Sequence, residues 1–409
     1  MLNPYFLLAL LYILLALFAA LDSSLSSLNL LPWFNGLRWL RVHLITLGTL
    51  TEIIFGLLPI LAAVRSGRPR PSIRWDIWLT LNAGILILLV GIPLVNVALI
   101  FVGGTLVFTA TVLLIRHVNE LRGITAATTS TGRMFYLAGL AYFLLGIIVG
   151  TGLWLGWGEW LHIAVPIEVH IHANNWGFMA LVFAGLLIDL YPGFAGRDLA
   201  WPRSLRPIFW MMTLSALLLV LGPWLQSTWF TVPGILLHLS ATGWLLLNLI
   251  RPLKSQRRAW VPGLWHLLTS YVWIVAPVLV APLIILKVPG FPGAGIEQNA
   301  PQALIYGWVL QFAYALLPYL FTRFFLPNEP AKLGGTWFTL FTVHLGGVFL
   351  WASIFITDHH AVLHGTAYAL WAASLIPIVL DLWRIARAGW ARLESQNIAP
   401  FADDRRATN

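Results

Sequence analysis

The chain has 409 residues, 59% of them hydrophobic and only 10% charged, with a formal net charge of +9. Its apolar runs repeatedly reach the ~20 residues that cross a bilayer, which excludes a soluble globule and points away from nucleic acid as the partner of the basic charge. The lack of cysteine excludes disulfides, thiolate ligands, iron–sulfur clusters and covalent c-type haem, and leaves histidine as the main metal-ligating residue type.

Taken in chain order, hydropathy predicts an all-α, polytopic integral membrane protein of about twelve transmembrane helices. They fall near residues 4–22, 39–64, 76–94, 95–116, 133–155, 167–191, 205–224, 230–250, 262–286, 302–325, 336–357 and 361–383. The first span is too long for a removed signal peptide and has no small-residue cleavage site, so it is expected to be retained. The longest connections, around 23–38 and 287–300, are short and rich in Pro, Gly, Ser or Asn. Residues 1–388 therefore read as a single transmembrane helical domain, and residues 389–409 as a polar cytoplasmic tail.

Basic residues collect in alternate loops: Arg65, Arg68, Arg70 and Arg74; Arg116 and Arg122; Arg197, Arg203 and Arg206; Arg251, Lys254, Arg257 and Arg258. The positive-inside rule makes these loops cytoplasmic, with both termini inside, as expected for a multi-pass protein of the cell inner (cytoplasmic) membrane. On that topology seven of the eleven histidines collect in the outer half: His43, His170, His172, His238, His359, His360 and His364. His117 and His266 read as structural or surface residues, His162 falls in an outer loop, and His344 at mid-membrane stays open.

The most informative run is His170-Ile171-His172, inside the apolar stretch 166–191. An imidazole in a span is usually functional, and two residues apart on a helix the rings point about 200° apart, so one helix could serve two centres. The plain alternative is a pair of rings hydrogen-bonded to neighbouring helices, with Asn174 and Asn175 as further partners. His43, His172 and His238 are each followed five residues later by glycine, at Gly48, Gly177 and Gly243. On a continuous α-helix five residues rotate by roughly 140°, so these glycines read as packing sites rather than floors beneath the rings.

Neutral imidazoles on facing helices suit the axial positions of a porphyrin, while copper or zinc asks for three or four converging nitrogens. Trp176, Trp244, Trp351, Phe178 and Phe349 could line a macrocycle or simply pack. His359 and His360, with His364 four further on, could converge on a metal or titrate in an exposed loop.

Twelve spans with both termini inside, the Leu-Arg-Val-His start of the second helix, the His-x-His helix and the adjacent outer His-His pair together resemble the haem–copper oxidase superfamily. The likeness is greatest to its nitric-oxide-reductase-like branch and to the NnrS-type haem- and copper-containing membrane proteins. The resemblance implies one or two b-type haems held by His43, His170 and His172, and copper held from among His238, His359, His360 and His364. It further implies a diatomic gas such as nitric oxide or oxygen as ligand or substrate in an oxidoreductase, a quinol or cytochrome as electron donor, and a partner subunit within the lipid bilayer. The order of motifs departs from the oxidases, where the His-x-His lies in the tenth span and follows the His-His pair. No His-Pro-Glu-Val-Tyr motif occurs in this chain.

Glu52, Glu168, Asp189 and Asp358 lie in or beside spans, where acids often mark proton paths. They form no continuous series from the cytoplasmic side, which argues against a proton pump, and Asp358 could instead orient His359. A different class stays open: a multi-helix transporter whose outer histidines sense protons or bind a metal.

Overall fold

The computed structural model describes residues 3–30, 38–121, 131–254 and 260–403. Arg122, Arg257 and Arg258 lie outside the described residues. Helix makes up 85% of the structure, and no strand occurs among the described residues. Among the described residues eleven helices are long and apolar enough to cross a membrane, and a twelfth, Trp75–Gly91, is apolar but shorter. The protein is thus a polytopic helical membrane protein.

The helices are α1 (Pro4–Ser27), α2 (Trp39–Arg65), α3 (Trp75–Gly91), α4 (Val97–Glu120), α5 (Thr131–Leu155), α6 (Pro166–Ala195), α7 (Pro202–Leu225), α8 (Thr228–Leu253), α9 (Pro262–Ile285), α10 (Gly293–Phe325), α11 (Trp337–Phe355) and α12 (Thr357–Glu394). The tight junction expected at 94/95 is a turn in which Val95 takes a positive φ of 50°. Asn96 then caps α4, its side chain accepting from the Leu99 amide at 3.0 Å. Two helices outrun their apolar cores. α10 starts at Gly293 because Ile296 and Ala300, one turn apart, bury one side of an otherwise polar stretch. The last helix carries on past Ala388 to Asp403, so the polar tail is entered as helix, with Gly389 seated against Phe325.

The chain divides into two compact units. The first comprises residues 1–53, 260–277 and 292–409, the second residues 54–259 and 278–291, and the boundaries fall inside α2 and α9. In the first unit α12 packs against α1, α10 and α11. Ser24 donates to the Gly365 carbonyl at 2.8 Å, Trp371 Nε1 donates to the Val343 carbonyl at 3.1 Å, and the hydroxyls of Tyr314 and Ser374 bond at 2.6 Å. In the second unit α3 pairs with α4 and α7 with α8, and α6 packs between α5 and α7. Small residues let these backbones approach: Gly84 and Gly103 on α3 and α4, Gly222 and Gly234 on α7 and α8.

Three helices, α2, α6 and α10, are the most buried, at 67%, 78% and 94% of their apolar cores, against 50% or less for the other long spans. Each is interrupted by a π segment: Leu44–Leu50, Ala173–Met179 and Ile305–Val309. Each segment contains a glycine on which an aromatic ring of the preceding helix rests: Tyr12 on Gly48, Tyr142 on Gly177 and Trp273 on Gly307. The same device therefore recurs three times at a spacing of four helices, in α2, α6 and α10. The His–glycine spacing is shared by only the first two copies. In the third, Gln302 stands five residues before Gly307. His238 and Gly243 belong to no such repeat: α8 has no π turn, and nothing lies within 4 Å of where a Gly243 Cβ would be.

Candidate functional site

The second unit brings His170, His172 and His238 into one helix cluster. Pro166 opens α6 in the first helical turn, where its missing N–H costs nothing, and the two histidines follow just before the π segment. The rings diverge as their spacing requires. His170 turns to α5: its Nδ1–H donates to the Gly146 carbonyl at 2.8 Å, and the ring lies where a Gly150 side chain would be. Asn174 Nδ2 donates to the His170 carbonyl at 2.9 Å, one turn along, and its amide occupies the space left by Gly146. The Gly-x-x-x-Gly of α5 is thus a groove shaped for an imidazole and an amide.

His172 turns to α7, where its Nδ1–H donates to the Leu219 carbonyl at 2.5 Å. For both rings the acceptor is a carbonyl, so Nδ1 carries the proton and the lone pair of a neutral imidazole sits on Nε2. Protein metal ligands commonly show this arrangement. Trp176, one turn after His172, meets both other rings edge-on: its centroid is 6.4 Å from His172 and 4.8 Å from His238.

His238, on α8, is 1% exposed. The Ser215 hydroxyl donates to the Met212 carbonyl at 2.8 Å, so at 3.5 Å it receives the proton of His238 Nδ1. His238 Nε2 and, one turn on, Thr242 Oγ1 are buried without a hydrogen-bond partner. Such an orphan costs about 1–3 kcal/mol unless something satisfies it. Both orphans lie on one face of α8.

The other site candidates fall in the first unit. His43 stacks on Trp39, centroids 4.3 Å apart and planes 13° apart, and its Nδ1–H donates to the Trp39 carbonyl at 2.8 Å. His360 donates through Nδ1 to the Ser353 carbonyl at 2.9 Å, and His364 Nδ1 meets Ser27 Oγ at 2.8 Å. The His360 and His364 rings stack at 5.3 Å and begin a column along α12 that continues through Tyr368 and Trp371, at 5.0 and 5.1 Å. Tyr306 stacks on Trp371 at 4.4 Å, and Tyr368 donates to Gln302 Oε1, the residue standing at the histidine position of the third repeat.

His359 is exposed in the 3-10 turn Thr357–His359, and among the described residues no side-chain hydrogen bond joins it to Asp358. Among the described residues no three ligating side chains form a group that could hold a metal ion.

His266 and His344 are fully engaged. His266 bonds Gln311 at 3.1 Å and Thr339 at 2.9 Å, and His344 bonds Thr269 at 2.8 Å and accepts from Trp273 Nε1 at 3.1 Å. Of the intramembrane acids, Glu52 is fully buried in α2. Asp189 anchors a network in the second unit: Tyr136 donates to its carboxylate at 2.8 Å, Arg65 lies 3.8 Å away and also donates to its backbone carbonyl. Sequence reasoning missed Tyr136 as the partner, and the only available signal was Gly132, whose missing side chain makes room for the carboxylate.

Comparison with protein-family models and with curated proteins found no match to this chain. Fold and site together define a polytopic α-helical membrane protein with a buried His238 and half-buried His170 and His172 clustered in one compact unit.

Proposed function

We propose that this is a membrane haem protein of the haem–copper or NnrS type, which binds or reduces a diatomic gas or passes electrons from quinol or a cytochrome. The observation that carries the reading is the buried, unpartnered Nε2 of His238 across Trp176 from His172, whose own Nδ1–H is committed to a backbone carbonyl. The donor set fits a b-type haem: neutral imidazoles with Nε2 lone pairs, in an interior lined by Leu, Phe and Trp. His172 and His238 are the residues that would hold it, and His170, turned to the opposite side, would be left for a second centre. A bound haem would supply an iron able to change oxidation state and to hold a small gas.

The protein's part is positional. The Leu219 and Gly146 carbonyls fix ring tautomer and orientation. His43 is the candidate ligand of the first unit. His360 and His364, one helical turn apart on α12, offer two imidazoles to a copper ion.

Optical spectra of the purified protein, oxidised and dithionite-reduced, test the proposal. A Soret band with reduced α and β bands, shifted by carbon monoxide or nitric oxide, is the expected result. Stoichiometric haem that ignores both gases replaces gas chemistry with electron transfer. A chain devoid of haem and metal overturns the reading in favour of a transporter.

A further inference from the structure

We infer that a cleft at the end of the second unit, between the α6–α7 loop and the last turn of α8, binds the phosphodiester headgroup of an anionic phospholipid. The cleft is a shallow, open depression of about 540 Å3 lined by Arg197, Asp198, Ala200, Trp201, Arg251 and Pro252. Its two cations arrive from different helix ends. Arg197 follows Gly196, the left-handed residue that closes α6, and Arg251 opens the short 3-10 turn that ends α8.

The floor is held in place by Asn248, which is fully buried. Its side-chain oxygen accepts from the Trp201 amide at 2.7 Å, its carbonyl accepts from the Ala200 amide at 3.2 Å, and its Nδ2 donates to Ser204 Oγ at 2.8 Å. The guanidinium of Arg251 lies over the Trp201 indole, 4.6 Å from the ring centroid. Stacking uses the face of a guanidinium and leaves its in-plane N–H fork for an oxyanion.

Charge and position select the ligand class. Two arginines against Asp198 leave the lining with one net positive charge, which suits a monoanionic phosphodiester better than a dianionic phosphate monoester. Trp201 is the kind of residue that sits at headgroup depth. The basic loops assign this end of the helices to the cytoplasm, the face where anionic lipids attract basic pockets between transmembrane helices. Arginine at helix C-termini also complements the helix dipole, but that accounts for neither the pinned loop nor the stacking of Arg251 on Trp201.

The test is native mass spectrometry of the purified full chain with added phosphatidylglycerol or phosphatidylcholine. Wild-type protein is expected to retain phosphatidylglycerol preferentially. Each of Arg197→Gln and Arg251→Gln should lower that preference on the order of five-fold, from the usual contribution of one basic residue near an anionic surface. Asp198→Asn, which raises the positive charge, should strengthen it, and this variant keeps the test decisive if an arginine variant proves unstable. Equal retention of both lipids by wild type, or an unchanged preference in both arginine variants, overturns the proposal. Displacement of the lipid by excess inorganic phosphate reassigns the cleft to a free anion and overturns the lipid assignment.

Discussion

His172 donates its Nδ1–H to the carbonyl of Leu219 at 2.5 Å, so a side chain of α6 is locked to the backbone of α7 with its lone pair on the other ring nitrogen. If this imidazole holds haem iron, His172→Ala removes the low-spin Soret contribution from a protein that still folds. His117→Ala, near the end of α4, should leave the spectrum intact. Reduced-minus-oxidised spectra normalised to protein decide this, and an unchanged His172→Ala spectrum counts against the assignment.

The glycines of the π turns make a second prediction. A side chain at Gly48 would lie 2.7 Å from the Tyr12 ring, and Gly177 and Gly307 are equally closed by Tyr142 and Trp273. Substituting alanine at each should cost about 1–3 kcal/mol through overpacking. Gly243→Ala, facing open space in mid-helix, should be neutral or stabilising. Apparent melting temperatures in detergent give the ranking, and a Gly243→Ala as damaging as Gly177→Ala would refute the packing account.

The Asp189 network makes the third. Tyr136→Phe removes one hydrogen bond to a buried carboxylate and should cost roughly 1.5–3 kcal/mol. Asp189→Ala should cost more, because it removes the acceptor of Tyr136 and also the carboxylate facing Arg65, which keeps only the backbone carbonyl. Additivity in the double variant would show that the two residues do not interact.

Topology is testable because the chain has no cysteine of its own. Single cysteines at Arg68 and Arg203 should resist a membrane-impermeant maleimide in intact cells, while cysteines at His162 and His359 should react. External labelling at Arg203 would reverse the orientation drawn from the basic loops.

Much of the architecture was legible because lipid enforces it. A backbone that crosses hydrocarbon must satisfy its own polar groups, so long apolar runs become helices, and eleven of the twelve expected spans appear as helices long enough to cross, with Trp75–Gly91 a shorter apolar helix. The divergence of His170 and His172 was also legible, since two residues on a helix cannot point the same way. The polar start of α10 was not, because its helix rests on the burial of Ile296 and Ala300 rather than on hydropathy. The repeat was half visible: His43 and His172 announced two copies, but Gln302 hid the third and Gly243 imitated one.

By itself, then, the amino-acid order determined the polytopic helical class, the residue types able to act inside the spans and the basic loops that point to an orientation. These follow from local hydrophobicity and helix geometry. Only the tertiary structure decided which carbonyl each imidazole meets, that Trp176 stands beside both His172 and His238, and that Asp189 belongs to Tyr136 and Arg65. Those relationships depend on how closely neighbouring helices approach, which is set by glycines and π turns whose partners lie on other helices.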